Sequence, residues 1–244
     1  MPPASSFEAV TSACNLGVIA FGDSITNGAG EYQWGVPLQS WALWTARGLG
    51  LAYTPYAVDG AVAGDVVDRQ LPAFEGTRAH RDGRYDVGCI YIGTNDVRRG
   101  TWDPDQFARE LAVVHGAMSA CCDRRLAVTL PVDLGRPRAS REVEDANTAI
   151  EAAAAAHGAL LLDLRDFGAR NLMMADHVHP TALGQVAIAE RALAVLTADG
   201  LDVRVRPAEL IAYERARWDR LRGDLTYCYR HLKVSLRAAM VSRL

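Results

Sequence analysis

Five residues, spread over four stretches of the sequence, have the groups needed for nucleophilic attack on an acyl carbon. They are Ser24, Gly64, Asn95, Asp176 and His179. A serine hydroxyl attacks poorly until a base takes its proton, and a neutral imidazole held by a carboxylate does this near pH 7. The negative charge that develops on the acyl oxygen then needs preorganised hydrogen-bond donors. Backbone N–H groups at Ser24 and Gly64 and the side-chain amide of Asn95 are candidates for that role.

Each of these residues also has a purely structural interpretation. A serine often lies in an ordinary Gly-Asp-Ser turn, Asn95 could cap its own turn, and residues such as Asp176 and His179 also occur in solvated loops or at helix ends. His177 is a second candidate for the base, and Asp23 is interpreted as an acid that stabilises the turn. The order of the residues along the chain, with three of them at the ends of apolar runs, favours the catalytic interpretation.

The apolar runs before these residues predict the strands of a parallel sheet. They alternate with segments of helical character, which implies right-handed crossovers and helices on both faces of the sheet. Strands are predicted at residues 18–21, 51–58, 85–92, 126–130 and 159–162, and helices within residues 31–47, 103–120, 141–157 and 181–198. Residues 73–84 are polar and rich in turn-forming residues, so they predict a surface loop. In open α/β sheets the chemistry lies at the carboxyl ends of the strands, where Ser24, Gly64 and Asn95 are expected.

Three motifs together resemble those of the SGNH (GDSL-like) hydrolases, a family of serine esterases, lipases and deacylases. Its first, third and fifth blocks match Phe21-Gly22-Asp23-Ser24-Ile25-Thr26, Gly93-Thr94-Asn95-Asp96 and Asp176-His177-Val178-His179-Pro180. The resemblance covers residues 17–198 and implies Ser24 as nucleophile, His179 as base and Asp176 as its orienting partner. It implies an oxyanion hole formed by Ser24, Gly64 and Asn95. It also implies a flavodoxin-like α/β/α sandwich of three layers around a five-stranded parallel sheet, with no metal and no cofactor.

The second block and the C-terminus depart from the family pattern. Where the family usually has Asn-x-Gly-x-x-Gly, this chain has Asp59-Gly60-Ala61-Val62-Ala63-Gly64. The last glycine is kept, whereas Asp and Ala replace the first two residues of the motif, so the resemblance fixes the position of this loop less closely. Residues after about 200 have no counterpart in the compact members of the family.

The composition of the 244-residue chain argues against several classes of protein. Its formal net charge of −3 points to no nucleic-acid partner, and no stretch approaches the ~18 apolar residues of a membrane span. The N-terminus lacks the features of a secretory signal. Five cysteines without metal-site spacing indicate reduced thiols and a cytoplasmic protein. Since the only lysine is Lys233, Schiff-base chemistry and a phosphate-binding lysine loop are not expected in the body of the chain.

The C-terminal segment differs from the rest in charge and pattern. From residue 204 onward, ten Lys/Arg against four Asp/Glu give +6, whereas residues 1–203, with 16 against 25, give −9. Apolar residues at steps of three and four predict an amphipathic helix, and they are Trp218, Leu221, Leu225, Cys228 and Leu232. This helix is expected to dock on its own domain, to mediate homo-oligomerisation or to contact an anionic partner. A direct part in the substrate pocket is a further alternative.

The sequence thus predicts an N-terminal lead-in (residues 1–16), a hydrolase domain (17–200) and a basic helical extension (201–244). The expected reaction is hydrolysis of an ester, or of an acyl or acetyl group, on a small molecule or sugar-like metabolite through an acyl-enzyme on Ser24. An acyltransferase with an alcohol or amine acceptor would use the same residues, and a non-catalytic ligand-binding module is the remaining alternative. Loops beyond the strand ends are expected to line the mouth. Within them, Arg98, Arg99, Arg136 and Arg138 are candidates for selecting an anionic or sugar-like group, and simple solvation is the alternative for each.

Overall fold

A five-stranded sheet, parallel throughout, forms the middle of the computed structural model. The structure describes residues 15–33, 35–78, 83–136, 138–139 and 141–212, and residues 225, 227–229, 231–234 and 236 of the C-terminal segment. The strands are β1 (Val18–Gly22), β2 (Tyr53–Pro55), β3 (Tyr85–Tyr91), β4 (Cys122–Val128) and β5 (Leu160–Leu162). Their spatial order, β2-β1-β3-β4-β5, is that of a doubly wound, flavodoxin-like sheet. The predicted fold class is confirmed.

Strand β1 lies between β2 and β3 and is apolar on both faces. Its first four residues have no exposed surface, as expected where helices cover a parallel sheet on both sides. In the register with β3, the last pair is Gly22 opposite Tyr91. The residues that follow β1 and β3 therefore start from adjacent positions at one edge of the sheet.

Seven helices lie in the described part of residues 24–198 and flank the sheet. They are α1 (Ser24–Asn27), α2 (Trp41–Leu49), α3 (Ala63–Asp65), α4 (Leu71–Arg78), α5 (Pro104–Ser119), α6 (Arg141–Ala156) and α7 (Ala182–Ala198). A π-helical turn, Val66–Gln70, joins α3 to α4, and a 3-10 turn, Pro207–Leu210, follows α7. Helix α2 packs against α7, and α5 packs against α6.

Four predicted elements have the wrong bounds. The strand predicted at residues 51–58 is only Tyr53–Pro55, and the strand predicted at residues 126–130 begins at Cys122 and ends at Val128. The helix predicted within residues 31–47 begins only at Trp41, where the Ser40 hydroxyl caps it by accepting a hydrogen bond from the N–H of Ala42. The surface loop predicted at residues 73–84 is wrong over residues 73–78, because α4 continues through them and buries Phe74. Only Leu71 and Phe74 of that helix are buried, and Phe74 is the one large apolar residue within 73–78, which is too weak a pattern for a sequence-based helix prediction.

Candidate active site

Ser24 begins a short helix directly after β1. Asp23 caps this helix, since its Oδ1 accepts a 2.9 Å hydrogen bond from the N–H of Ile25. Gly22 has a φ of +148°, and a Cβ at this position would collide with the carbonyl oxygen of Tyr91. The turn therefore requires glycine at position 22 and a hydrogen-bond acceptor at position 23, and Ser24 follows at the start of the helix.

A buried glutamine fixes the end of β1. Gln70 accepts a 3.0 Å hydrogen bond from the N–H of Gly22 and donates a 2.8 Å bond to its carbonyl oxygen. Gln70 is the last residue of the π-helical turn, and such turns are frequent at functional sites. Because both backbone polar groups of Gly22 are paired in this way, the turn that carries Ser24 has a fixed starting point.

Asp176 and His179 lie on a tight loop that directs the imidazole at Ser24. Asp176 Oδ1 accepts hydrogen bonds from the N–H groups of Val178 (2.9 Å) and His179 (3.1 Å), and its Oδ2 lies 2.8 Å from His179 Nδ1. On the far side of the ring, His179 Nε2 lies 3.1 Å from Ser24 Oγ. Within this loop His177 has a φ of +54°, which reverses the chain direction within a few residues. The structure thus brings Ser24, His179 and Asp176 into one hydrogen-bonded line.

The charges along this line favour proton transfer from the serine. The hydrogen bond that His179 donates to Asp176 raises the pKa of His179 above its ordinary value, although burial acts in the opposite direction. Burial alone would raise the pKa of Asp176, but the hydrogen bonds from the His179 ring and two backbone N–H groups outweigh it and lower that pKa. Asp176 therefore stays ionised and His179 becomes a stronger base, as general-base catalysis requires.

The competing histidine has other partners. His177 Nδ1 lies 3.1 Å from Asp133 Oδ2 and 3.0 Å from a guanidinium nitrogen of Arg136. Its Nε2 lies 3.4 Å from the hydroxyl of Tyr227. The loop after β4 and the C-terminal segment thus engage this ring, whereas the serine hydroxyl pairs with His179.

Gly64 and Asn95 lie on neighbouring loops that are joined by a hydrogen bond. Asn95 Nδ2 donates to the carbonyl oxygen of Ala61 at 2.9 Å. Since a side-chain amide carries two N–H bonds, the second can point elsewhere. Gly64 lies in the first turn of α3, and the first N–H groups of a helix have no acceptor within that helix. The N–H of Ser24, at the start of α1, is in the same position. All three predicted donors lie in segments that follow the carboxyl ends of β1, β2 and β3.

The unusual residues of the second block have structural roles. Asp59, where the family pattern has Asn, accepts a 2.8 Å hydrogen bond from the side chain of Asn27, the last residue of α1. Ala61, in place of a glycine, is buried, and its carbonyl oxygen accepts the bond from Asn95. The loop therefore stays tied to the serine helix on one side and to the Asn95 loop on the other.

The family model for GDSL-like lipases and acylhydrolases matches residues 20–187. This span contains the five candidate site residues Ser24, Gly64, Asn95, Asp176 and His179. The chain belongs to this family. No curated protein matches the sequence.

Solved structures with the same fold include other GDSL-like enzymes. TesA is 23% identical, with a TM-score of 0.57 over 74% of this chain and 98% of that chain. A member of the lipolytic G-D-S-L family from Veillonella parvula is also 23% identical, with a TM-score of 0.57 over 74% of this chain and 97% of that chain. Axe2, an acetylxylan esterase from Geobacillus stearothermophilus, is 18% identical, with a TM-score of 0.58 over 79% and 100%. At these identities the similarity establishes the fold.

In this GDSL-like enzyme a second carboxyl group lies directly beside the serine. Asp23 is fully buried, and burial raises its pKa to about 7 despite the hydrogen bond from Ile25. Its Oδ2 has no hydrogen-bond partner among the described residues. Asp23 and His179 act on each other electrostatically, so the charge of one depends on the charge of the other.

Of the four arginines considered for the mouth, Arg98 has the largest effect on the pKa of His179. Arg99, Arg136 and Arg138 form hydrogen bonds to backbone carbonyls or carboxylates of nearby loops. Arg98 is exposed, and its positive charge opposes protonation of His179. The charge of Arg98 therefore affects the pKa of the proposed base more than the charges of the other three arginines do.

Tyr227 and His231 of the C-terminal segment lie against the loop that carries His177 and His179. The sequence pattern does not predict this contact. Tyr227 stacks on His231 with ring centroids 5.8 Å apart, and His231 meets the ring of His177 edge-on at 5.7 Å. Of the predicted apolar face, Leu225, Cys228 and Leu232 are exposed, and Trp218 and Leu221 lie outside the described residues. The only signal for the docking face is an aromatic residue and a histidine four positions apart, which share one side of a helix.

The described residues also bear on metals and membranes. They contain no group of three or more His, Cys, Asp or Glu side chains that could hold a metal ion. None of the helices formed by these residues is long and apolar enough to cross a membrane.

Proposed function

We propose that this GDSL-like enzyme hydrolyses esters, or acyl or acetyl groups, of small molecules or sugar-like metabolites through an acyl-enzyme on Ser24. The observation that carries the proposal is the line of two hydrogen bonds, Ser24 Oγ to His179 Nε2 at 3.1 Å and His179 Nδ1 to Asp176 Oδ2 at 2.8 Å. Membership of an acylhydrolase family supports the reaction class. The shared fold of an acetylxylan esterase supports a short acyl group on a sugar-like alcohol.

In the proposed acylation step, Ser24 Oγ bonds to the acyl carbon while His179 Nε2 takes the hydroxyl proton. The electron pair of the C=O bond moves to the oxygen, where N–H donors of Ser24, Gly64 and Asn95 stabilise the charge. When the intermediate collapses, the bond to the leaving oxygen breaks and the alcohol takes the proton from His179. Asp176 remains ionised throughout and stabilises the imidazolium.

In the proposed second half, water attacks the acyl-enzyme. His179 removes a proton from the water, and the acyl carbon releases Ser24 Oγ, which regains its proton as the acid departs. An alcohol or amine in place of water would produce acyl transfer with the same residues. Product analysis with and without an added acceptor separates the two reactions.

Labelling with a serine-directed fluorophosphonate tests the nucleophile. We expect a single labelled peptide containing Ser24, and Ser24→Ala and His179→Ala variants that lose about 10⁴-fold or more of kcat on p-nitrophenyl acetate. Ser119→Ala is a matched control, because Ser119 lies at the end of α5 and bonds the carbonyl oxygen of His115 in the same helix. Label on another residue, or wild-type turnover by Ser24→Ala, would contradict the mechanism.

The predictions of a cytoplasmic location and of an associating C-terminal segment remain proposals. Four cysteines are free thiols in the part of the chain that the structure describes, which supports a reducing compartment: Cys89, Cys121, Cys122 and Cys228. Exposed apolar side chains on the C-terminal helix support a contact with a second subunit or another partner: Leu225, Tyr229, Leu232 and Leu236.

A further inference from the structure

A cavity of about 210 Å³ adjoins Gly64 at the edge of the sheet where β2 and β3 end. Its walls come from the Gly64 loop, from the loop that follows Asn95 and from the first half of α5. No residue of the loop that carries Asp176 and His179 contributes to its lining.

The lining of the cavity favours the acyl side of the substrate, because it includes Gly64 but neither Ser24 nor any residue of the loop that carries His179. The leaving alcohol must lie beside His179 Nε2, because that nitrogen protonates it. The carbonyl oxygen must face the proposed donors, of which the Gly64 N–H is one. A cavity that includes Gly64 but excludes the histidine loop is therefore placed to take the remaining substituent of the acyl carbon.

The wall beside Gly64 carries a carboxylate. Glu110 Oε1 lies 3.0 Å from the point that a Cβ on Gly64 would occupy, so this side chain lies directly against the glycine. The same oxygen accepts a 2.8 Å hydrogen bond from Gln106 Nε2. A carboxylate has about four acceptor sites, so Glu110 can accept further hydrogen bonds. An apolar acyl chain would remove water from this carboxylate without replacing its hydrogen bonds, which is unfavourable.

Two further polar atoms in the cavity wall are buried without a partner among the described residues, Asp96 Oδ2 and Trp102 Nε1. The other oxygen of Asp96 accepts a 3.0 Å bond from the N–H of Ala63, which holds this carboxyl group beside the Gly64 loop. One of the two unpaired atoms is an acceptor and the other is a donor. A hydroxyl group both donates and accepts, an ammonium group only donates, and a methylene group does neither.

We propose that this cavity is an acyl subsite for a short acyl group that carries a hydroxyl, recognised by Glu110, Asp96 and Trp102. The inference rests on the proposed serine mechanism and names a substrate class for it. A site built to bond a substrate hydroxyl discriminates against the analogue that lacks it, because the polar groups of the site are then left unpaired. Glu110 and Trp102 become residues that determine specificity.

A matched set of p-nitrophenyl esters tests the subsite. The acetate ester reports the serine mechanism itself, and the pair 3-hydroxybutyrate and butyrate differs by a single hydroxyl. We expect wild-type kcat/KM to favour 3-hydroxybutyrate over butyrate by at least tenfold. Glu110→Leu should abolish most of that preference and Trp102→Phe should reduce it, whereas Glu110→Gln, which keeps an acceptor oxygen, should retain part of it. Glu75→Leu, an exposed site on α4, should leave the ratio unchanged.

The outcomes separate the two proposals. Turnover of the acetate ester with no preference for the hydroxylated ester would overturn the subsite, and so would a preference for octanoate or 3-aminobutyrate. A folded Glu110→Leu with an unchanged preference would also overturn it, and if that variant fails to fold, Glu110→Gln and Trp102→Phe give the same comparison. Absence of both acetate turnover and fluorophosphonate labelling would instead contradict the serine mechanism.

Discussion

Asp23, which precedes Ser24 in the chain, and His179, which lies within hydrogen-bond distance of Ser24, each affect the protonation of the other. The hydrogen bond that His179 donates to Asp176 raises the pKa of His179, and the charge of Asp23 adds to the effect. Burial raises the pKa of Asp23 itself to about 7. Since a general base must be neutral to accept a proton, the active fraction of enzyme at a given pH depends on both residues.

The pH dependence of kcat/KM should therefore show a rise that is displaced upward. Neutral His179 is the active form and its pKa lies above the ordinary value of 6.5, so activity should be half-maximal above pH 6.5 and should fall at lower pH. Initial rates on p-nitrophenyl acetate, extrapolated to zero buffer between pH 5 and 9, measure this midpoint.

Asp23→Asn is the control that assigns the midpoint. The amide oxygen can still cap α1, but the negative charge near His179 is lost, so the pKa of His179 and the midpoint should both move to lower pH. If the rise disappears in this variant, Asp23 and not His179 is the group whose titration controls activity. An unshifted midpoint would show that the two residues are not coupled.

At the scale of elements, the π-helical turn Val66–Gln70 holds the end of β1, two residues before the nucleophile Ser24. Gln70 projects from it onto both backbone groups of Gly22. Gln70→Met keeps a similar shape but leaves the buried N–H of Gly22 without this acceptor, which should lower the free energy of unfolding by about 1–3 kcal/mol. We also expect a lower kcat, because the turn that holds Ser24 starts at Gly22. Urea unfolding and turnover of p-nitrophenyl acetate measure the two effects.

Arg69→Met provides the comparison for Gln70 within the same turn. The Arg69 side chain is 78% exposed and forms only a long 3.6 Å ion pair with Asp65, so its removal should change stability by no more than about 0.5 kcal/mol. Equal losses from the two substitutions would mean that the turn itself, and not the bonds to Gly22, is sensitive to change.

The elements that could be predicted from sequence are those specified by local patterns. Strand β1 is a continuous apolar run, β3 is apolar apart from Asp86 near its start, and α5 begins at Pro104 after the capping residue Asp103. The Ser24, Asn95, Asp176 and His179 motifs were recognisable because each is short and contiguous. The bonds of Gln70 to Gly22, 48 residues away, have no local signal. The docking face of the C-terminal segment could not be predicted either. The leucine pattern of the segment predicts that Leu225 and Leu232 are buried, whereas the structure exposes them.

At the scale of the whole molecule, the C-terminal segment combines a contact with the histidine loop and an exposed apolar surface. Tyr227 and His231 face His177, whereas Leu225, Tyr229, Leu232 and Leu236 are each more than half exposed. Their spacing of four, three and four residues places these four side chains on one side of a helix. Together with a segment charge of +6 beside a body of −9, this surface favours association with a second copy of the chain.

A chain that ends after residue 212 should therefore lose association before it loses chemistry. Residues up to this point belong to the body, because the N–H of Ala208 donates to Glu190 and the N–H of Ala212 donates to Gly35. Deleting the residues beyond them removes the exposed leucines, and Ser24, His179 and Asp176 keep one another as partners.

In size-exclusion chromatography with light scattering we expect the full chain to associate at micromolar concentration and the shortened chain to be monomeric. Its kcat/KM on p-nitrophenyl acetate should stay within about threefold. Leu225→Glu with Leu232→Glu in the full chain should produce the same monomer without deletion. A full chain that is already monomeric, together with a shortened chain that has lost activity, would instead place the segment in the substrate site.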